Sequence, residues 1–508
     1  MKPSVKKNQA EPISSTKDTP GELPESLHLQ LGAEEMRRLG YQVIDMLVTH
    51  FEDIKDKPVA TRASRQDMEE MLRESLPESP NNQMQVLRQL ENGVFSTMMH
   101  LDHPRFFAWV PSPSNYVSVM GDLLASGFNV FSGLWMTSAG PSQLELITID
   151  WLKELLHYPA SGSGLFVSGG SMANLTGLTI AASVKLGGRR DKGVLYCSDQ
   201  THSSVEKAVR VLGFHPDQLR KLPADTTLRL SVKDLQEAIK ADKKAGKIPF
   251  CVIANAGTTN TGTVDPIEEI YMLCQEEGGL WLHVDGAYGA AGMLSQQGQR
   301  LLKGLSYADS LSVDPHKWLF QPYEIGCLLV KNPKWLNDTF HILPEYLKDT
   351  QPSTEEVDFS NRGIQLTRGF RALKLWMSLK VFGAEAFRKA VTRGIELAEI
   401  VQDELSKLPN WQIVTPPQLA VLTFRYLPDQ AAASEINRFN KEIVERMIAR
   451  QYAMIASTEL EGQVVIRMCT INPRATREDI HTTVQQLTQV ARRLEKSNKW
   501  TRSVYSYA

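Results

Sequence analysis

A lysine stands in this chain where a lysine is costly. The run Ser312-Val313-Asp314-Pro315-His316-Lys317-Trp318 places Lys317 directly after Pro-His, with the apolar Trp318-Leu319-Phe320 behind it. A long cation is expensive to bury, so such a residue is either a structural lysine that snorkels to water or a nucleophile. An amine in a partly desolvated site has its pKa lowered and can form a Schiff base with a carbonyl. Upstream stands Leu280-Trp281-Leu282-His283-Val284-Asp285-Gly286-Ala287-Tyr288. Trp281 to Val284 reads as a buried strand of bulky residues. Asp285 ends it, and the small Gly286 and Ala287 leave room beside the carboxylate. Alone, Asp285 reads equally well as a turn or helix cap. Together with Lys317 it matches what pyridoxal phosphate requires: a lysine for the aldehyde and an acid for the pyridinium nitrogen.

A phosphate then needs a cradle. Leu165-Phe166-Val167-Ser168-Gly169-Gly170-Ser171 reads as a strand and a glycine turn, followed by a helix over Ala173 to Lys185. Glycines let the backbone approach closely, and N–H groups at a helix start face an anion. Ser171 adds a hydroxyl. The pattern is neither a P-loop nor a dinucleotide fingerprint. A further strand, Gly193 to Cys197, runs into Ser198-Asp199-Gln200-Thr201-His202-Ser203-Ser204, with His202 opening a helix. A flat imidazole there can stack on a cofactor ring; otherwise it is a cap or a surface residue. Phe250 to Asn255 reads as another strand, and it ends in Ala256-Gly257-Thr258-Thr259-Asn260-Thr261-Gly262. That run offers hydroxyl donors, or is a simple Thr/Gly turn.

With these motifs in this order, the chain resembles the group II pyridoxal-phosphate-dependent decarboxylases, and most of all their aromatic-L-amino-acid decarboxylase branch. The resemblance runs from roughly Leu27 to Leu494. Asp285-Gly-Ala-Tyr and Pro315-His316-Lys317-Trp318 carry it, and Asp199-Gln-Thr-His202-Ser-Ser strengthens it. It implies an α/β fold of the pyridoxal-phosphate-dependent transferase type (fold type I, aspartate aminotransferase-like). That fold has a mainly parallel seven-stranded sheet, an N-terminal helical segment and a small α+β C-terminal domain. It implies that Lys317 is the internal aldimine lysine and Asp285 the pyridinium partner. His202 would stack on the ring, with Ala287 on the opposite face. Gly170, Ser171, Asp314 and His316 fall at phosphate-side or ring-side positions, and Thr259 matches a threonine near the cofactor. Asp314 departs from the asparagine of some animal members. A carboxylate sits awkwardly beside a phosphate, so no direct contact is expected there.

The resemblance extends to reaction type. Ile342-Leu343-Pro344-Glu345-Tyr346-Leu347-Lys348 resembles a mobile family loop whose tyrosine protonates the substrate's α-carbon after CO2 leaves. Relatives that release an aldehyde often carry phenylalanine here, so Tyr346 argues for plain decarboxylation; the bland alternative is a loop anchor. Asp349 to Asn361 is polar, contains Pro352, and reads as a flexible lid. His103-Pro104-Arg105-Phe106-Phe107-Ala108-Trp109-Val110-Pro111 resembles the family's substrate-side segment. Trp109, Val110 and Pro111, with Leu134 and Trp135, make a candidate apolar substrate pocket, or simply core. Arg105 belongs to a motif shared with glutamate decarboxylases and does not discriminate. Thr367 matches neither the glycine nor the serine of plant relatives. The expected activity is that of a carboxy-lyase acting on an L-amino acid, favouring an aromatic one. An aromatic aldehyde synthase, a decarboxylase of an acidic amino acid such as glutamate, and a non-enzymatic relative are the alternatives.

These motifs need a frame. With 508 residues, 42% of them hydrophobic, the chain can bury a large core in more than one domain. The 56 basic and 58 acidic residues give a formal charge of −2. That leaves no electrostatic footprint for nucleic acid or an anionic membrane. No apolar run approaches the roughly 20 residues of a membrane span, and Met1 to Gly21 lacks the apolar core of a signal peptide. Cys197, Cys251, Cys274, Cys327 and Cys469 lack metal-ligand spacing and read as free thiols, most of them buried, of a cytoplasmic protein; no metal is expected. Residues 1–26 read as disordered. Residues 27–108 read as helical, with Met36, Leu39, Val43, Leu47, Phe51 and Ile54 at helical spacing; the resemblance implies packing on a second subunit and a homodimer with its active site at the interface. Shorter helical stretches are expected over Asp67 to Leu72 and near Met84 to Met98. Residues 109–375 alternate strands and helices, the pattern of a parallel sheet whose ligands bind at the strands' carboxyl ends. Residues 376–508 read as α+β, with strands at Leu419 to Phe424 and Val464 to Met468. The last helix is capped by Thr476 and Asp479.

Overall fold

A computed structural model describes residues 29–342, 355–429 and 431–497. The expected disordered N-terminus, the loop tyrosine Tyr346 and residues 349–354 of the expected lid lie outside the described residues. Seven strands form one sheet: β1 (Ser163–Val167), β2 (Gly193–Ser198), β3 (Leu219–Leu222), β4 (Ile248–Asn255), β5 (Trp281–Asp285), β6 (Ser310–Val313) and β7 (Gly326–Val330). Their order is β1-β7-β6-β5-β4-β2-β3. Every residue of β2, β5, β6 and β7 is buried. This is why these strands read as continuous apolar runs rather than alternating ones. The helices Gly170–Leu186, Val232–Lys244 and Ile267–Glu276 pack against the sheet.

Strand direction decides where the motifs meet. The pairs β3/β2, β2/β4, β4/β5 and β5/β6 are parallel. β7 is antiparallel to both β6 and β1. Two reversals restore direction, so β1 points the same way as β2, β4, β5 and β6. The glycine turn, the His202 turn, the Thr258-Thr259 turn, Asp285 and the Pro-His-Lys segment therefore all leave the same edge of the sheet. The return strand β7 squeezes past the cradle. A Cβ on Gly326 would lie 2.4 Å from Gly169 Cα, so only glycine allows this approach.

A second sheet of four antiparallel strands has the order β10-β11-β9-β8. It is built from β8 (Trp411–Gln418), β9 (Val421–Tyr426), β10 (Ala456–Leu460) and β11 (Gln463–Cys469). The helices Ala433–Ala449 and Arg477–Glu495 cover it, sharing a separate apolar core. Thr476 and Asp479 do form a capping box. The expected strand at Leu419 starts late: Leu419 and Ala420 adopt left-handed φ of 46° and 66° and make the β8–β9 turn. The boundary expected near residue 375 falls inside the helix Ala372–Ser406, which bends at Gly383 (φ 74°). The N-terminal helix Ala33–Asp53 buries none of its residues within one copy of the chain. Among the described residues no helix is long and apolar enough to cross a membrane.

Candidate active site

At the carboxyl edge of the large sheet lies a cavity of about 280 Å³. Gly170, Ser171, His202, Thr259, Asp285, Ala287, Asp314, His316 and Lys317 all line it. Gly170 and Ser171 head the helix Gly170–Leu186, where first-turn N–H groups have no intrahelical acceptor. The helix starts earlier than the apolar pattern indicates, because the glycine pair itself makes its first turn. A Cβ on Gly170 would lie 2.8 Å from Ala287 Cβ and 2.9 Å from Asp314 Oδ2. The cradle is therefore tight backbone rather than side chain.

Asp285 sits at the end of β5, only 8% exposed. Its Oδ2 accepts from Asn174 Nδ2 at 2.9 Å, and its Oδ1 accepts from Ser312 Oγ at 3.1 Å and the Ala287 N–H at 3.2 Å. His202 is the N-cap of the helix Ser203–Val211. Its Nδ1 accepts the Ser204 N–H at 3.2 Å and lies 2.8 Å from Ser204 Oγ. Burial presses the His202 pKa down, against a smaller upward pull from Asp285. His316 is likewise pushed down by burial, with Asp314 opposing; its Nδ1 accepts the Ile325 N–H at 3.3 Å.

Lys317 corrects one expectation. Burial presses its amine down, as its apolar neighbours imply, but the charge and hydrogen bond of Asp314, together with Asp285 and Tyr323, outweigh burial. The net shift is upward. Asp314 Oδ2 lies 2.9 Å from Lys317 Nζ. That pair gives the buried Asp314 a partner other than an anion. Its Oδ1 has no hydrogen-bond partner among the described residues.

The substrate-side expectations are not met in the same way. Trp109, Val110, Pro111, Leu134 and Trp135 are absent from the lining of this cavity among the described residues. Trp109 is half exposed, with φ 45°, and its carbonyl accepts from Arg467 Nη1 of β11. Leu134 is buried, and the Trp135 N–H caps onto Asp358 Oδ1 at 2.7 Å. Arg105 holds the backbone carbonyls of Lys55 and Tyr452 and lies 3.4 Å from Asp479. It is thereby occupied structurally. Asn174, Ser204, Asn255, Tyr288 and Glu324 line the cavity without having been singled out by their motifs. For Asn174 a signal existed: four residues after Gly170, it shares that residue's helix face.

A model of the pyridoxal-dependent decarboxylase conserved domain matches residues 66–427. The chain belongs to the pyridoxal-dependent decarboxylases. It is 50% identical over 457 residues to an aromatic-L-amino-acid decarboxylase of Bacillus atrophaeus, covering 90% of this chain and 95% of that one. It is 32% identical over 461 residues to a phenylacetaldehyde synthase of Arabidopsis thaliana, covering 88% and 94%. Among solved structures, Oryza sativa TDC with PLP and tryptamine superposes with a TM-score of 0.88 at 26% identity, covering 92% of this chain and all of that one. Catharanthus roseus tryptophan decarboxylase in complex with L-tryptophan gives 0.85 at 26%, covering 91% and 99%. As a pyridoxal-dependent decarboxylase the chain uses pyridoxal 5'-phosphate, and the cavity fits that group. It offers a backbone cradle that a single Cβ would fill, an amine, and a buried carboxylate.

Proposed function

We propose that this enzyme converts an aromatic L-amino acid to its amine and CO2. The observation that carries the reading is the 50% identity, over nine-tenths of the chain, to the aromatic-L-amino-acid decarboxylase. In this reading Lys317 is the residue that links the cofactor. Asp285 pairs with the ring nitrogen, and its negative charge favours the protonated ring. His202 and Ala287 flank the ring faces. Gly170, Ser171, Thr259 and His316 serve the phosphate and ring substituents, with Asp314 held by Lys317. When bound, pyridoxal phosphate supplies an electron-accepting ring conjugated to the substrate's α-carbon. Tyr346 donates a proton to that carbon after CO2 departs.

The reading includes a cytoplasmic homodimer with its active site at the interface. Its supports are the unburied N-terminal helix, with Met36 and Tyr41 exposed, and the exposed Leu123, Phe128 and Met136. Trp109, Val110, Pro111, Leu134 and Trp135 remain the candidate apolar substrate pocket in this reading. The division at about residues 108 and 375 is part of the same reading. The five unpaired cysteines agree with a reducing compartment.

The test is purified protein with pyridoxal phosphate, offered each of the twenty amino acids, with amines read by mass spectrometry and oxygen uptake followed. An aromatic amine without oxygen uptake is expected. Phenylacetaldehyde synthases at 32% and 33% identity favour a second reading; aldehyde, ammonia and hydrogen peroxide as products would establish it. Preferential turnover of glutamate refutes the aromatic assignment.

A further inference from the structure

Behind the cavity a chain of buried hydrogen bonds has only one consistent direction. It begins at Asp285, whose carboxylate can only accept. Asn174 must therefore turn its NH2 toward Asp285 Oδ2, at 2.9 Å. The amide's second N–H reaches Ser204 Oγ, also at 2.9 Å. Asn174 Oδ1 then faces His283 Nε2 at 3.0 Å, so His283 carries its proton on Nε2. His283 is fully buried, and burial presses its pKa down to about 4, so the ring is neutral and Nδ1 is bare. That bare nitrogen lies 2.8 Å from Ser310 Oγ, which donates to it. From the far end the same answer emerges. Trp281 Nε1–H can only donate, and it donates to Ser310 Oγ at 2.8 Å, leaving the serine's own proton for His283.

The branch toward the cavity is equally determined. Ser204 Oγ accepts from Asn174, so its hydroxyl proton is free for His202 Nδ1, 2.8 Å away. Nδ1 also accepts the Ser204 backbone N–H. Two donors aimed at one ring nitrogen leave the neutral imidazole's proton on Nε2.

We infer that Asn174 is a positioning residue that holds Asp285 and, by directing the Ser204 hydroxyl, reinforces the Nε2–H tautomer of His202 that the Ser204 backbone N–H also favours. One amide thus orients both groups assigned above to the cofactor ring, and the inference rests on that assignment. Residues behind a first contact commonly set tautomer and orientation in this way. The geometry also explains how a polar amide is tolerated at a site 1% exposed: each of its polar atoms has a partner.

The test uses cofactor-loaded protein labelled with 15N-histidine, the His202 signals being identified by their loss in His202→Gln. A protonated Nε2 and a bare Nδ1 are expected at His202. Asn174→Leu, close in volume but without hydrogen bonds, should weaken pyridoxal phosphate binding about tenfold or more, the effect of losing one hydrogen bond to a charged group. It should also shift the His202 15N signals, because the Ser204 hydroxyl loses its fixed direction while the Ser204 backbone N–H still faces Nδ1. An Nδ1–H form at His202 in the unmodified protein overturns the inference, and this measurement decides even where Asn174→Leu does not fold. Unchanged affinity and an unchanged His202 spectrum in a folded Asn174→Leu also overturn it. Asp285→Ala separates the two levels. Normal cofactor affinity in Asp285→Ala refutes the ring-nitrogen assignment itself. Lost affinity there, with normal affinity in Asn174→Leu, refutes only the role of Asn174.

Discussion

Gly170→Ala adds one methyl group to the tightest point of the cofactor cradle. The new Cβ would stand 2.8 Å from Ala287 Cβ and 2.9 Å from Asp314 Oδ2. Carbon atoms settle at about 3.5–4.0 Å, so the two methyls are short of contact distance by about 0.7–1.2 Å. Ala287 Cβ is fixed to the backbone, and Asp314 Oδ2 is held by Lys317 Nζ at 2.9 Å. Two effects oppose this clash. Gly170 has no left-handed φ, so its backbone accepts alanine without strain. Alanine in place of glycine in a helix also favours folding by roughly 0.5–1 kcal/mol. Without cofactor, Ala287 can yield into the cavity, and the clash and the helix gain nearly cancel. With cofactor that space is needed, and the overpacking cost of about 1–3 kcal/mol falls on binding. The expected result is a melting temperature of the cofactor-free protein close to the parent's and an affinity for pyridoxal phosphate lower by about 5- to 150-fold. Quenching of intrinsic fluorescence on titration with the cofactor measures the second quantity. Binding within twofold of the parent would refute the placement of the phosphate at Gly170.

Three further outcomes follow from buried ionisable groups. Arg368 and Glu145 form an ion pair at 2.6 Å, 2% and 0% exposed, which also ties the Phe166 backbone on β1; Arg368→Met should cost about 3–5 kcal/mol, and Arg368→Met with Glu145→Leu should recover much of it in denaturant melts. A single variant losing under about 1 kcal/mol contradicts this. Burial presses His103 and His283 from 6.5 to about 4 in the folded state. The unfolded chain binds those protons first, so their contribution is complete above about pH 6.5 and is lost as pH falls toward 4. Each costs on the order of 2 kcal/mol by pH 5. Denaturant midpoints flat between pH 7 and 5 count against both neutral rings. Finally, burial pushes the Cys197 and Cys274 thiols up to about 12 and raises Cys251, Cys327 and Cys469 as well. An aromatic disulfide reagent at pH 8 should titrate none of the five before urea is added and all five after. Rapid reaction of any one in the folded protein contradicts its burial.

Motifs were legible where chemistry is local. Each cofactor-side residue named from sequence is near a strand's carboxyl end, where an apolar run stops and a small or polar residue follows. Such a junction can be read without knowing which strands are neighbours. The small sheet was less legible. β8 buries only Trp411 and Thr415 and contains Pro416 and Pro417, and β10 is half exposed, so neither has the continuous apolar signature of the central strands. Leu419 and Ala420 look like strand residues but turn, because residues 418 and 421 must pair across them.

By itself the sequence determined the parts: the amine at Lys317, the carboxylate at Asp285, the glycine cradle, and free thiols in apolar runs. Tertiary structure alone decided how those parts are held. Strand order and the reversal at β7 bring five separated turns to one edge. Asp314 returns charge to a lysine that its apolar neighbours would neutralise. Asn174 meets Asp285 across 111 residues of chain, and its amide also directs the Ser204 hydroxyl beside His202. Apolar periodicity records which residues leave water, because burial is a property of each side chain. It carries no record of which donor faces which acceptor. That depends on strand register, and register is fixed only when the sheet assembles.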